Sequence, residues 1–203
     1  MKGVLMSIRP EWCELIASDK KTVEIRKTIP RKFVQDRFYS GYLTEPFKVY
    51  IYETQGYSVT PQVFEDGTTI FRGRGKVIGE FVCGRIDGIS KRGINDNFDY
   101  CYLSLNEFGN DDVGVEIRDI QKSCISKDVL NSYGANSPCL FAWHISNLVI
   151  YDKPKELSEF KRCDECPYGP LEKCWNHEYG CDGEYNVRRA PQSWCYVEYV
   201  EVV

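Results

Sequence analysis

Ser18-Asp19-Lys20-Lys21-Thr22-Val23-Glu24-Ile25-Arg26 changes its period halfway through. Just upstream, Pro10-Glu11-Trp12-Cys13-Glu14-Leu15-Ile16-Ala17 puts a proline where a first helical turn accepts one and spaces Trp12, Leu15 and Ile16 along one helical face. That pattern predicts a short helix ending at Ser18-Asp19. From Lys21 to Lys27 the pattern is that of a strand, with Val23 and Ile25 alternating with Thr22, Glu24 and Arg26. A strand there sends the aliphatics to one side and a hydroxyl, a carboxylate and a guanidinium to the other. Lys21 stands at the mouth of the strand, where its long stem can swing toward the polar face. A solvated face carrying a Glu24–Arg26 charge pair is the plainer account of the same residues.

Working outward, the chain reads mostly as strands: Val4 to Ile8, Phe47 to Tyr52, Lys76 to Cys83, Cys139 to Ile145, Leu148 to Tyr151 and a closing strand from Ser193. Gly56 to Gly75 reads as a loop or hairpin excursion, and Asn95 to Gly114 as a long surface loop. Ser126 caps a second short helix that ends at Gly134, and Pro154 to Phe160 reads as a further helical turn or two. Ser146-Asn147 interrupts the most apolar span as a bulge or turn. Short strands with helices between them, and no strand-helix period, predict an α+β fold with a β-barrel rather than a parallel sheet. In the strand Lys76 to Cys83, Glu80 shares a face with Ile78 and Val82, where a carboxylate is either an edge residue or points into a polar cavity.

The chain has 203 residues, enough to bury a proper core, and no apolar run approaches a signal core or membrane span, which predicts a cytoplasmic protein. Net charge is −4, which argues against nonspecific coating of nucleic acid. Basic residues nevertheless concentrate between Asp19 and Arg37 and between Arg72 and Arg92, enough for a local phosphate-binding field if the two stretches converge. Four tryptophans and fourteen tyrosines supply surfaces for base stacking.

With ten cysteines and no export signal, thiols and metal ligands are expected rather than disulfides. Cys163-x-x-Cys166 followed by Cys174, His177 and Cys181 has the spacing of a structural zinc site; His177 competes with Cys181 for the fourth place, and buried free thiols remain an alternative. The surrounding prolines and glycines make a segment too irregular to hold itself by apolar burial. No local signature places His144 or His177 beside a nucleophilic thiol, and His144, next to Trp143 in an apolar strand, reads as a satisfied core histidine.

The spacing of Lys21, Glu24 and Arg26 resembles the G-x-K-x-x-E-x-R signature of the ASCH domain family, a PUA-like group, with Asp19 in the place of the family's glycine. Aspartate is a turn residue that tolerates positive φ. Ser7-Ile8-Arg9-Pro10-Glu11-Trp12 resembles the family's approach to the motif, and Pro191-Gln192-Ser193-Trp194 the ending of some bacterial and phage members. The resemblance implies a PUA-like barrel over residues 1–155, a cysteine-rich insert over 156–190 and a closing strand over 191–203. It implies RNA or a nucleotide as partner, held by Arg9, Lys21, Thr22, Glu24, Arg26 and Glu80. The family also includes an amidohydrolase that deacetylates N4-acetylcytidine; if this chain is an enzyme, Lys21, Glu24 and Glu80 are the catalytic candidates, although that branch has threonine where Glu24 stands. A noncatalytic interaction module of phage or mobile-element type is the remaining reading.

Overall fold

The structure is a computed structural model that describes residues 2–38, 41–63, 69–94, 97–102, 121–162 and 185–199. It consists of strands in a mixed, open order with short helices, an α+β arrangement. Barrel closure is not among the described pairings. The chain divides into two compact units: residues 1–13, 48–81 and 149–203 form the first, and residues 14–47 and 82–148 the second. The cysteine-rich stretch from Cys163 to Glu184, with the metal ligands expected in it, lies outside the described residues.

In the first unit, β1 (Lys2–Ile8) pairs in parallel with β4 (Gly41–Glu53), Val4 opposite Val49, and antiparallel with the last strand, β13 (Trp194–Tyr199), Val4 opposite Tyr196. β11 (Phe160–Arg162) and β12 (Tyr185–Asn186) extend the order beyond β13. The core of this unit gathers Leu5, Tyr50, Val77, Phe160, Val187 and Val197. β7 (Val77–Ile94) pairs with β10 (Ser146–Lys155), and at Gly79 the two backbones come so close that a Cβ would sit 2.4 Å from the Val149 carbonyl oxygen. Only glycine fits there. The excursion between Gly56 and Gly75 is a hairpin of β5 (Tyr57–Val63) and β6 (Thr69–Arg72).

In the second unit, helix α1 (Pro10–Ala17), which begins in the first unit, ends where the sequence predicts, and Asp19 takes φ 56°, the left-handed conformation that a turn at this place demands. β2 (Val23–Arg26) then pairs antiparallel with β9 (Cys139–His144), and β9 with β7. β3 (Val34–Phe38) joins β4, and β8 (Asn97–Tyr102) joins β7, so part of the expected long loop is strand. Helix α2 (Lys127–Gly134) starts at Ser126, whose hydroxyl accepts from the Val129 amide at 3.4 Å. Val23 and Ile25 pack with Ile89, Leu130, Leu140 and Ala142 as the core of this unit, on the side the alternation assigns them. The fully apolar burial of one face was legible; the polar face is buried too, because all four residues of β2 lie inside.

The expected helical turn near Pro154 is a single 3-10 turn, Leu157–Glu159, closed by reciprocal bonds between Glu156 and Glu159. No helix among the described residues is long and apolar enough to cross a membrane.

Candidate functional site

Three charged side chains of the second unit meet around one carboxylate. Glu24 Oε1 lies 2.9 Å from Arg26 Nη2, and Glu24 Oε2 lies 3.1 Å from Lys21 Nζ. Lys21 also donates from Nζ to the Ser123 carbonyl at 2.6 Å. Relative exposures are 1% for Lys21, 6% for Glu24 and 7% for Arg26, so the group is enclosed rather than spread over a solvated face. Such burial is tolerated because each charge faces an opposite charge or a carbonyl.

The local fold explains the meeting. Glu24 and Arg26 are two residues apart on one strand and point to the same side, while Lys21 enters from the turn before it. Backbone bonds fix that turn: the Thr22 amide donates to the Lys122 carbonyl at 3.0 Å, and the Thr22 carbonyl accepts from the Ile145 amide at 2.9 Å. Across the ladder Glu24 stands opposite Trp143 and Arg26 opposite Phe141. Trp143 meets Phe47 edge to face at 5.9 Å, and Phe47 stacks on Phe33 at 4.4 Å, so a row of aromatic rings extends from the residue opposite Glu24. Tyr133 on α2 is 39% exposed, with Lys27 Nζ 4.9 Å from its ring centre. Burial pushes the Tyr133 hydroxyl up; the Arg26 charge pulls it down and the Glu24 charge pushes it up, which places Tyr133 within their electrostatic reach.

On the other side of the same strands a second cluster was missed by sequence reading. Asp87, with no exposure, accepts at Oδ2 from His144 Nε2 at 2.6 Å and pairs with Arg85 Nε at 2.9 Å. His144 is therefore a satisfied histidine, as the sequence suggests, but its partner carries no sequence signal: Asp87 is one of many acidic residues until β7 and β9 are paired. Beside it, burial pushes the Cys83 thiol up to about 12, which leaves it an unreactive filler.

The remaining candidates belong to the first unit. Arg9 is exposed and lies 4.0 Å from Glu11. The Ser7 hydroxyl donates to the Pro191 carbonyl at 2.6 Å. Glu80 has both carboxylate oxygens engaged, Oε1 by Lys48 Nζ at 2.5 Å and Oε2 by the Tyr151 hydroxyl at 2.6 Å. The four cysteines assigned to zinc, Cys163, Cys166, Cys174 and Cys181, lie outside the described residues, as does His177. No group of three or more metal-ligating side chains occurs among the described residues. Of the described cysteines, Cys13, Cys83 and Cys195 are buried and Cys124 is exposed, all as free thiols.

No family model matches the sequence, and no curated protein does. Among solved structures the chain is similar to crystal structures of ZmASCH from Zymomonas mobilis. For one point variant the identity is 15% over 100% of this chain and 92% of that chain, with a TM-score of 0.47. For an ASCH structure from the same organism it is 16% over 98% and 88%, with a TM-score of 0.42. These structures bear the name of the family that the Lys21, Glu24 and Arg26 spacing resembles.

Proposed function

We propose that the protein binds RNA or a nucleotide through the Lys21–Glu24–Arg26 cluster of its second unit. The observation that carries this reading is a buried carboxylate held between two cations, with Trp143 opposite it on β9 and the partly exposed Tyr133 carrying Lys27 over its ring. Lys21 and Arg26 are suited to a phosphate, and Glu24 to the donors of an exocyclic amine. A partly exposed tyrosine carrying a lysine over its ring is suited to a stacked base and its phosphate. Thr22 contributes through its backbone, which holds Lys21 in place. The cysteine-rich segment is proposed to bind one structural zinc through Cys163, Cys166, Cys174 and Cys181, with His177 as the competing fourth ligand.

Hydrolysis of a modified nucleoside such as N4-acetylcytidine is the second reading, and the geometry favours it less. Both Glu24 oxygens lie within ion-pairing distance of a cation, so a substrate or water must share the carboxylate with Lys21 and Arg26. Both Glu80 oxygens are likewise engaged.

Titrating a nucleoside panel and short single-stranded RNA into wild type, Glu24→Gln, Arg26→Lys and Tyr133→Ala decides between these readings, with chromatography of deacetylated product in parallel. Binding is expected to weaken by about 1 to 3 kcal/mol for Glu24→Gln and Arg26→Lys, the range for hydrogen bonds to charged groups. Tyr133→Ala, which removes no buried charge, is expected to weaken binding without loss of fold. Efficient turnover abolished by Glu24→Gln establishes the enzyme instead, and unchanged binding in all three variants removes the site.

A further inference from the structure

The Lys155 ammonium, at the end of β10 in the first unit, has an unusual setting. Its Nζ lies 3.6 Å from the centre of the Tyr199 ring and 4.6 Å from that of Tyr151. Both are well inside the roughly 6 Å reach of cation–π attraction. Among the described residues no carboxylate lies within ion-pairing distance of it, although the group carries three N–H donors. A primary ammonium is compact and strongly hydrated, so holding it against ring faces forgoes hydrogen bonds that water would supply.

The walls around it are built. Tyr199 packs against Phe160 at 5.3 Å and lies 6.1 Å from Tyr50, which is buried. The Tyr151 ring is oriented by its hydroxyl, which donates to Glu80 Oε2 at 2.6 Å. Burial pushes the Glu80 carboxyl up, but bonds from Lys48 and Tyr151 and the charges of Lys48 and Lys155 outweigh it and hold its pKa below the ordinary value. The negative charge therefore persists at neutral pH beside the two rings.

We propose that Tyr151, Tyr199 and Glu80 form a binding site for a methylated ammonium group, and that Lys155 fills this site as a tethered stand-in. Two ring faces with a nearby carboxylate suit a cation that has few or no N–H donors and a weak hold on water, such as a trimethylammonium. That ligand loses less hydration on entering than Lys155 does, so it displaces the lysine, whose flexible stem lets the ammonium swing back to solvent. The inference is independent of the nucleotide-binding reading, since no residue of the Lys21 cluster takes part.

The test uses tetramethylammonium chloride and free trimethyllysine as probes, titrated into the full chain and followed by the tyrosine ring signals in NMR. Wild type is expected to bind weakly against the tethered competitor, and Lys155→Ala at least tenfold more tightly. Adding Tyr199→Leu or Tyr151→Leu to Lys155→Ala is expected to abolish binding, and adding Glu80→Gln to weaken it severalfold. Unmethylated lysine is expected to bind Lys155→Ala more weakly than trimethyllysine. No saturable binding to folded Lys155→Ala, or binding indifferent to methylation, overturns the proposal. Lys155→Met, which keeps the stem and removes the charge, guards against a folding defect; if neither variant folds by circular dichroism, Lys155 is a structural pin and the proposal falls.

Discussion

Asp87 and His144 meet at 2.6 Å, one fully buried and the other a quarter exposed, across the ladder that joins β7 to β9. With Arg85 also on it, the fully buried Asp87 carboxylate has two nitrogen partners. Replacing His144 by phenylalanine leaves one side of a buried carboxylate without its donor. The expected loss is about 1 to 3 kcal/mol in urea unfolding, the usual penalty for stranding a buried polar group. A loss within experimental error would show that Arg85 alone satisfies Asp87.

The Lys21, Glu24 and Arg26 group predicts a larger effect. Glu24 is the carboxylate between two buried cations, so Glu24→Gln removes the negative charge that both face and is expected to destabilise by about 3 to 5 kcal/mol. Adding Lys21→Met in the same chain should recover part of that loss, because one of the two cations that faced the carboxylate is gone. A double-mutant cycle in urea measures the recovery, and strictly additive losses would contradict the coupling.

Acid sensitivity follows from Glu80. Its pKa is held below the ordinary value against the opposing effect of burial, so the folded state is favoured while Glu80 is ionised. The contribution is fully present above the unfolded carboxyl value of about 4.3 and is lost as pH falls through the lower, folded value. Thermal melts of wild type below that pH should fall more steeply than those of Glu80→Gln, and parallel acid limbs would refute the assignment.

Alkali acts through Cys83. Burial holds its thiol protonated up to about 12, whereas an unfolded cysteine ionises near about 8.5. Stability is therefore lost as pH rises between those two values, and Cys83→Ala should flatten that slope. Under native conditions a thiol reagent should modify the exposed Cys124 and leave Cys83 untouched until the chain unfolds.

Zinc analysis addresses the cysteine-rich stretch, where about one metal per chain is expected on the spacing of Cys163 and Cys166. Chelation should lower the melting temperature, and Cys163→Ser should lower both metal content and stability. Metal-free protein of undiminished stability would remove the proposed staple.

What the sequence revealed and what it hid have physical causes. The helix ending at Asp19, the Ser126 cap and the core side of Val23 and Ile25 depend on neighbours a few residues away, so local pattern suffices for them. Enclosure of Glu24 and Arg26 depends on Trp143 and Phe141 arriving opposite them in β9, more than a hundred residues later, and no local pattern announces that. The same holds for Asp87, whose partner is 57 residues away. β8 was hidden because asparagine and aspartate suggest a loop, and the long partner strand β7 overrides that preference.

The first strand has a further consequence, one of timing. β1 is buried along nearly its whole length, and one of its edges is completed only by β13, residues 194–199. During synthesis the Val4-Leu5-Met6 edge therefore waits for almost the entire chain before its backbone groups find their partners, exposed to other nascent chains that can pair with it. Ribosome-bound chains stalled before residue 194 should accordingly recruit chaperones and aggregate on release, while those stalled far enough beyond residue 199 for β13 to clear the exit tunnel should not.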